Sequence, residues 1–300
     1  MGKEQWSGRL ASCKDNRVER FFLYRCFASL KKNGPARLLC CHVAPMANVA
    51  MEERQEYVVS VSFGKDSLAM LLRLIEESWP ITLVVFFNTG MEFACVYRVR
   101  DMVLPLLAQH HIPYVEVTPP ATMEYLMCDK EVHKRNGVVQ YGCGWCGGRC
   151  RWMTRIKLNA IERYTKNAIT YVGIAADEKG RLDHAVAKEG QKRYPLVEWG
   201  MSEKACLQYC YDRGFDFSED GIKMYDYFDR LSCFCCGNKN LRELYNIYKF
   251  FPKYWNRLVE LQKKISFPLK GPGKSVPELE ERFRKQKEAE DSQYTFDDIF

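Results

Sequence analysis

Two apolar patterns alternate along the chain. Tyr57–Ser62 and Ala168–Ile174 are rich in β-branched residues, and Ile81–Phe87 is an almost unbroken apolar run. Such runs predict parallel strands covered on both faces. Pro113–Val117 predicts a further short strand. Between them, Leu68, Leu71, Leu72 and Ile75 form a helical stripe over Ser67–Glu77. Ala94–His110 and Thr154–Tyr164 also have helical spacing, the first with an expected kink or break at Pro105. Beyond residue 200 the period is helical over Ser202–Arg213, Asn240–Phe250 and Tyr254–Lys264. Residues 271–300 carry few apolar positions and predict a short helix, Pro277–Glu290, and a charged tail. Strands alternating with helices predict an α/β fold, a doubly wound parallel sheet, with a helical C-terminal region.

Composition narrows the class. A chain with 47% hydrophobic and 28% charged residues is globular rather than disordered. The formal charge is +7, but residues 1–50 hold nine basic and three acidic residues, six of those seven charges. The body is therefore close to neutral, and global charge gives no support to nucleic acid as a partner. Residues 1–50 also lack periodicity. We expect a disordered leader there, or a start-site artefact if translation begins at Met46 or Met51. No apolar run reaches bilayer length and no secretory signal opens the chain, so a cytoplasmic protein without membrane contact is expected. Fourteen cysteines in such a chain point to metal binding or redox work rather than disulfides.

Two segments concentrate the chemistry. Ser62-Phe63-Gly64-Lys65-Asp66-Ser67 follows a predicted strand and opens a predicted helix. A turn in that setting aims backbone N–H groups and a helix N-terminus at an anion. Gly64 permits close approach, Lys65 supplies charge, Ser62 and Ser67 offer hydroxyls, and Asp66 caps the helix or holds magnesium. The spacing is not that of a Walker A loop. Separately, Cys143-Gly144-Trp145-Cys146-Gly147-Gly148-Arg149-Cys150 and Cys233-Phe234-Cys235-Cys236 each form a short turn before a predicted helix. Two such half-sites are how one four-thiolate site is assembled, and six sulfurs compete for its four positions.

The first segment resembles the S-G-G-x-D-S PP-loop of the ATP pyrophosphatase and phosphoadenosine phosphosulfate (PAPS) reductase superfamily, with Phe63 in place of the first glycine. Asn88-Thr89-Gly90-Met91-Glu92-Phe93 resembles that family's D-T-G-x-x-F stretch. Gly173-Ile174-Ala175-Ala176-Asp177-Glu178, then Arg181, resembles its G-I-R-x-x-E-S-x-R loop, with Ala175 replacing an arginine. Arg193-Tyr194-Pro195-Leu196 through Trp199 resembles its Y-P-L-x-x-W element. The resemblance covers roughly residues 57–265. It implies a Rossmann-like domain of the adenine nucleotide alpha hydrolase type over residues 51–270, followed by the tail.

The resemblance further implies ATP or another adenine nucleotide, with magnesium, across the carboxyl ends of the strands. Phosphates would lie on Ser62, Phe63, Gly64, Lys65, Asp66 and Ser67. Adenine would lie near Asn88, Thr89, Gly90 and Gly173, and Arg181 and Arg193 would meet phosphate or sulfate oxygens. Lys65, Asp66 and Arg181 are the expected catalytic residues. Cys150-Arg151-Trp152 with Thr154 and Lys157 resembles the family's C-R-W-C-T-x-x-K segment, and Asp229-Arg230 before Cys233 and Cys236 resembles D-R-x-G-C-x-x-C. The implied ligands are Cys146, Cys150, Cys233 and Cys236, with Cys143 and Cys235 in reserve, for an iron–sulfur cluster or zinc.

Reductases of this family carry a catalytic cysteine in a C-terminal E-C-G-x-H element, whereas this chain has no cysteine after Cys236. Three functions follow in order. The first is AMP-forming ATP pyrophosphatase chemistry on an unknown acceptor, with a sulfur or electron donor protein as partner. The second is sulfonucleotide reduction with an external thiol, and the third is nucleotide binding without turnover. The aromatic and basic residues of Tyr245–Lys264 are expected in the core rather than on nucleic acid.

Overall fold

The computed structural model describes residues 55–146, 150–186 and 191–297. The expected leader, residues 1–50, lies outside the described residues. The chain opens with β1 (Glu56–Val61), α1 (Lys65–Glu76), β2 (Leu83–Phe87), α2 (Ala94–Gln109) and β3 (Tyr114–Val117). A short helix, α3 (Met123–Cys128), leads into the hairpin of β4 (Glu131–His133) and β5 (Val139–Tyr141). Then come α4 (Arg151–Thr165), β6 (Ala168–Val172), α5 (Lys179–Val186), β7 (Lys192–Arg193), α6 (Pro195–Glu198) and α7 (Glu203–Tyr211). A second small hairpin, β8 (Ser218–Glu219) and β9 (Ile222–Lys223), precedes α8 (Leu241–Phe250), α9 (Pro252–Lys264) and α10 (Val276–Asp297).

Five strands make a parallel sheet in the order β3-β2-β1-β6-β7. Val58, Val59 and Val61 of β1 and Val84 to Phe87 of β2 are all buried, as both-face coverage requires. The two faces are read from β6. Tyr171 packs on Trp79, which follows α1, while Thr170 and Val172 line a cleft with Leu158 and Ile161 of α4. Helices thus cover opposite faces, and the fold is the α/β sheet expected. The chain steps outward from β1 to β3, then crosses to β6 on the other side of β1. That reversal opens a crevice between the loops after β1 and β6, where doubly wound sheets take their ligands.

The differences from the sequence pattern have simple causes. Helix α2 runs unbroken through Pro105, which lies on the exposed face, where the carbonyl it leaves unpaired can meet water. The C-terminal helix extends from Val276 to Asp297 and is longer than expected. Val276, Leu279 and Phe283 are buried, and the Phe283 ring lies 5.6 Å from Trp255 and 5.4 Å from Tyr245. Tyr245, Phe251, Tyr254 and Trp255 of the aromatic-basic stretch are buried, which is the core use expected of them.

Phe63 links this core to the crevice. It adopts φ 54°, a left-handed backbone that disfavours any residue but glycine. Its ring is fully buried, edge-on to Phe86 at 5.0 Å. Burial of a phenylalanine outweighs the backbone cost of about 1–2 kcal/mol. Phe63→Gly should therefore destabilise the protein by about 2–4 kcal/mol in urea unfolding, although it relieves the backbone. A gain in stability would show that the ring contributes less than the strain.

Candidate functional site

Helix α1 begins at Lys65, directly after the β1 turn. Its first-turn N–H groups lack helical partners and point out of the helix end. Two contacts hold this turn. Ser62 N–H donates to Ser67 Oγ at 3.1 Å, closing the loop on itself. Gly173, at the end of β6, presses its backbone against α1, where an added Cβ would meet Ser67 Cα at 2.9 Å and Ser67 N at 3.0 Å. Only glycine allows that approach. Ser62, Gly64, Asp66, Ser67, Gly173 and Arg181 thereby share one pocket of about 210 Å³, together with Lys65.

Lys65 is buried, and its ammonium is committed within the protein. Nζ donates to Glu203 at 2.6 Å and to Asp66 at 3.5 Å, and lies over the Tyr225 ring. Its backbone N–H donates to Tyr225 Oη at 2.8 Å. Asp66 Oδ1 is buried without a hydrogen-bond partner. Burial raises the Asp66 carboxyl to about 6, against the pull of Lys65. Glu178, buried, accepts from Ala175 N–H at 3.2 Å, from Arg181 at 2.9 Å and from Arg230. Both arginines line the same pocket.

A larger cleft of about 780 Å³ shares Ser62, Arg181, Leu231 and Ser232 with this pocket and runs between the sheet and α4. Small polar side chains, Ser60 and Thr170, stand where a covered sheet normally shows large aliphatic ones. Thr89 Oγ1 donates to Glu92 at 2.9 Å and lies 3.5 Å from Cys233 Sγ, which faces Glu92 Oε1 at 3.7 Å. Burial pushes the Glu92 carboxyl and the Cys233 thiol up, and the Lys157 ammonium beside them down.

The remaining expected residues fall elsewhere. Asn88, Thr89 and Gly90 line a separate cleft of about 530 Å³, which Thr89 joins to the larger one. The Phe63 side chain lies in the core, so only its backbone belongs to the loop. Arg193 is not brought to the pocket. It forms a two-pronged ion pair with Glu198, at 3.1 and 2.6 Å, and stacks on Trp79 at 4.4 Å. Sequence reasoning gave no site role to Tyr225, Glu178, Glu203 or Arg230. Arg230 did stand in the D-R element before the second cysteine cluster, which was a usable signal.

The two cysteine turns meet. Gly142 (φ 67°) sits where a Cβ would strike Met127 O, so only glycine carries the chain from β5 into the first turn. Gly237 N–H then donates to Cys146 O at 2.6 Å. The Cys146 thiol hydrogen-bonds with Cys143 and Cys150, which pulls Cys143 down and pushes Cys146 up. Thiols are suitable donors for zinc or an iron–sulfur cluster. Cys143, Cys146 and Cys150 are thus neighbours, but among the described residues no three His, Cys, Asp or Glu side chains are arranged as they would be around a metal ion. As placed, the Cys233 thiol faces Thr89 and Glu92, and the expected ligands Cys146, Cys150, Cys233 and Cys236 are not gathered into one set among the described residues. Also among the described residues, no helix is long and apolar enough to cross a membrane.

Residues 56–203 match the family model of the phosphoadenosine phosphosulfate reductase domain. An uncharacterized protein of Methanocaldococcus jannaschii is 24% identical over 221 residues, which are 68% of this chain and 41% of the relative. The chain thus spans about two-fifths of that relative's length. Among solved structures, the U34-tRNA thiolase NcsA from Methanococcus maripaludis, with its 4Fe–4S cluster, is similar at a TM-score of 0.39 and 14% identity. That match covers 78% of this chain and 73% of the other. A likeness of that degree assigns no residue roles here.

Two substitutions test the loop. Gly173→Ala forces backbone against backbone and should cost about 1–3 kcal/mol of stability in urea unfolding. An unchanged midpoint would show that the Ser67 turn can yield. Asp66 titrates near 6 folded, against 3.8 unfolded, so the native chain holds the extra proton in between. Its relative stability is present below pH 4 and lost as pH rises through 6. Asp66→Asn should therefore stabilise the metal-free protein at pH 8 by on the order of 3 kcal/mol and hardly at all at pH 4. An equal shift at both pH values would contradict the burial.

Proposed function

We propose, from the match of residues 56–203 to the family model of the phosphoadenosine phosphosulfate reductase domain, that the chain is an AMP-forming enzyme of the PP-loop kind. It binds ATP with magnesium, transfers AMP to an acceptor oxygen and releases pyrophosphate. A sulfur or other nucleophile then attacks the activated position, the bond to the adenylated oxygen breaks, and AMP leaves with the electron pair. The observation that carries this reading is the joining of a small, loop-walled pocket to a larger cleft at the crevice between β1 and β6.

The small pocket suits the phosphate tail, and the cleft suits the nucleoside and the acceptor. The acceptor oxygen attacks the α-phosphorus, the bond to the bridging oxygen breaks, and pyrophosphate leaves with the electron pair. The protein's part is electrostatic. First-turn amides of α1 and the Ser62 and Ser67 hydroxyls hold phosphate oxygens, Arg181 faces them, and Lys65 adds charge behind the loop. Magnesium would neutralise phosphate charge, and Asp66, whose Oδ1 has no hydrogen-bond partner, would be the residue to hold it. A cysteine-ligated centre, iron–sulfur before zinc, belongs to the same proposal. The meeting of the two cysteine turns supports it and the direction of Cys233 opposes the full four-thiol set, so no step runs through it.

A second reading, sulfonucleotide reduction, rests on one observation: the Cys233 thiol faces the cleft. One experiment separates the two. Full-length protein is given labelled ATP, magnesium and a protein-free cell extract as acceptor source. AMP and pyrophosphate should form, and Lys65→Ala should lose at least about tenfold of the rate. ADP and orthophosphate would reject the proposal. Sulfite from adenylylsulfate and a thiol, with no ATP turnover, would install the second reading.

A further inference from the structure

We propose that Arg230 is a second anion-binding arginine of the loop pocket and that Glu178 positions it together with Arg181. The ligand class is a diphosphate, the tail of the nucleotide or free pyrophosphate. The inference rests on the nucleotide reading above and adds two residues to it.

Glu178 is a buried carboxylate. Its side chain is 4% exposed, a costly place for a carboxylate unless fully partnered. One backbone amide and Arg181, three residues along, already supply two partners. The third is Arg230, fifty-two positions away on the loop before the second cysteine turn. Both arginines remain half exposed, at 50% and 54%, and both line the pocket. Each guanidinium has five donors in a plane, and the hydrogen bonds to Glu178 come from Nη1 of Arg181 and Nη2 of Arg230. The carboxylate thus fixes two forks over the pocket whose floor is the α1 N-terminus.

The charge balance points the same way. Lys65, Arg181 and Arg230 face Asp66, Glu178 and Glu203, with Arg230 also 3.8 Å from Glu203. Without Arg230 the carboxylates outnumber the cations, and the pocket would repel a polyanion. With it the ion pairs balance, and the helix end decides in favour of an anion. The pocket opens to the larger cleft through Ser62, Arg181, Leu231 and Ser232. A diphosphate between the arginines and the loop would put the scissile bridge at that opening.

Titration calorimetry of the full chain with inorganic pyrophosphate, in magnesium buffer, tests this. Arg230→Ala should weaken binding by about tenfold or more, and Arg230→Lys, which keeps charge but not the fork, by a smaller factor. Glu178→Gln is the sharper arm. Loss of a negative charge should tighten an anion by electrostatics alone, whereas loss of positioning weakens it by about fivefold or more. Arg230 is half exposed, so its variants keep the test decisive if Glu178→Gln does not fold. Pyrophosphate binding unchanged in Arg230→Ala, or tightened in Glu178→Gln, would overturn the inference and leave the nucleotide reading standing. A wild-type chain that binds neither pyrophosphate nor ATP would overturn both.

Discussion

Gly173 and Ser67 meet backbone to backbone, and the geometry of the loop pocket follows from that contact. An added Cβ on Gly173 would stand 2.9 Å from Ser67 Cα. The end of β6 and the first turn of α1 can share the crevice only because no side chain intervenes. Phe63 completes the constraint from the other side. Its buried ring anchors the residue before Gly64 in the core and holds a backbone conformation that the chain would otherwise leave. Packing therefore aims the helix end at the crevice, and the polar groups around it are placed by the same frame.

Those polar groups form a compensated network rather than a row of free cations. Lys65 is buried against Glu203 and Asp66, and Glu178 is buried between Arg181 and Arg230. Buried charges of both signs survive because each has a partner. The consequence for chemistry is preorganisation. For the phosphate ligand proposed above, donors already fixed by carboxylates would not need to reorient, and a low-dielectric pocket makes each of them count for more than it would in water. The larger cleft has another character. Its floor of Ser60 and Thr170 leaves room beneath α4, and its far wall carries Thr89, Glu92 and Cys233.

The sheet was legible because β1, β2 and β6 are dense in β-branched and aromatic residues, and the helices between them show a clear apolar stripe. The loop was legible because Ser62 to Ser67 has a composition that few other contexts need. The β4–β5 hairpin was missed, although Asn136-Gly137, with Gly137 at φ 79°, is a turn signal that could have found it. Helix α10 was read too short, although Val276, Leu279 and Phe283 keep helical spacing. Other features were beyond a sequence pattern. Arg193 sits on Trp79 and pairs with Glu198, while Lys65 reaches Glu203 across 138 positions and Arg230 reaches Glu178 across 52. Pairings of that range are set by how strands order themselves, which no local period reveals.

The central claim is that the turn between β1 and α1 is a phosphate site and that the β6 loop and the segment before the second cysteine turn close around the same ligand. Hydrogen–deuterium exchange of the full chain, with and without Mg·ATP, tests it most directly. The account predicts slower exchange within residues 62–68, 173–182 and 225–232 together. Unchanged exchange in all three segments at saturating nucleotide, or protection confined to residues 118–124 beside the separate cleft, would contradict it.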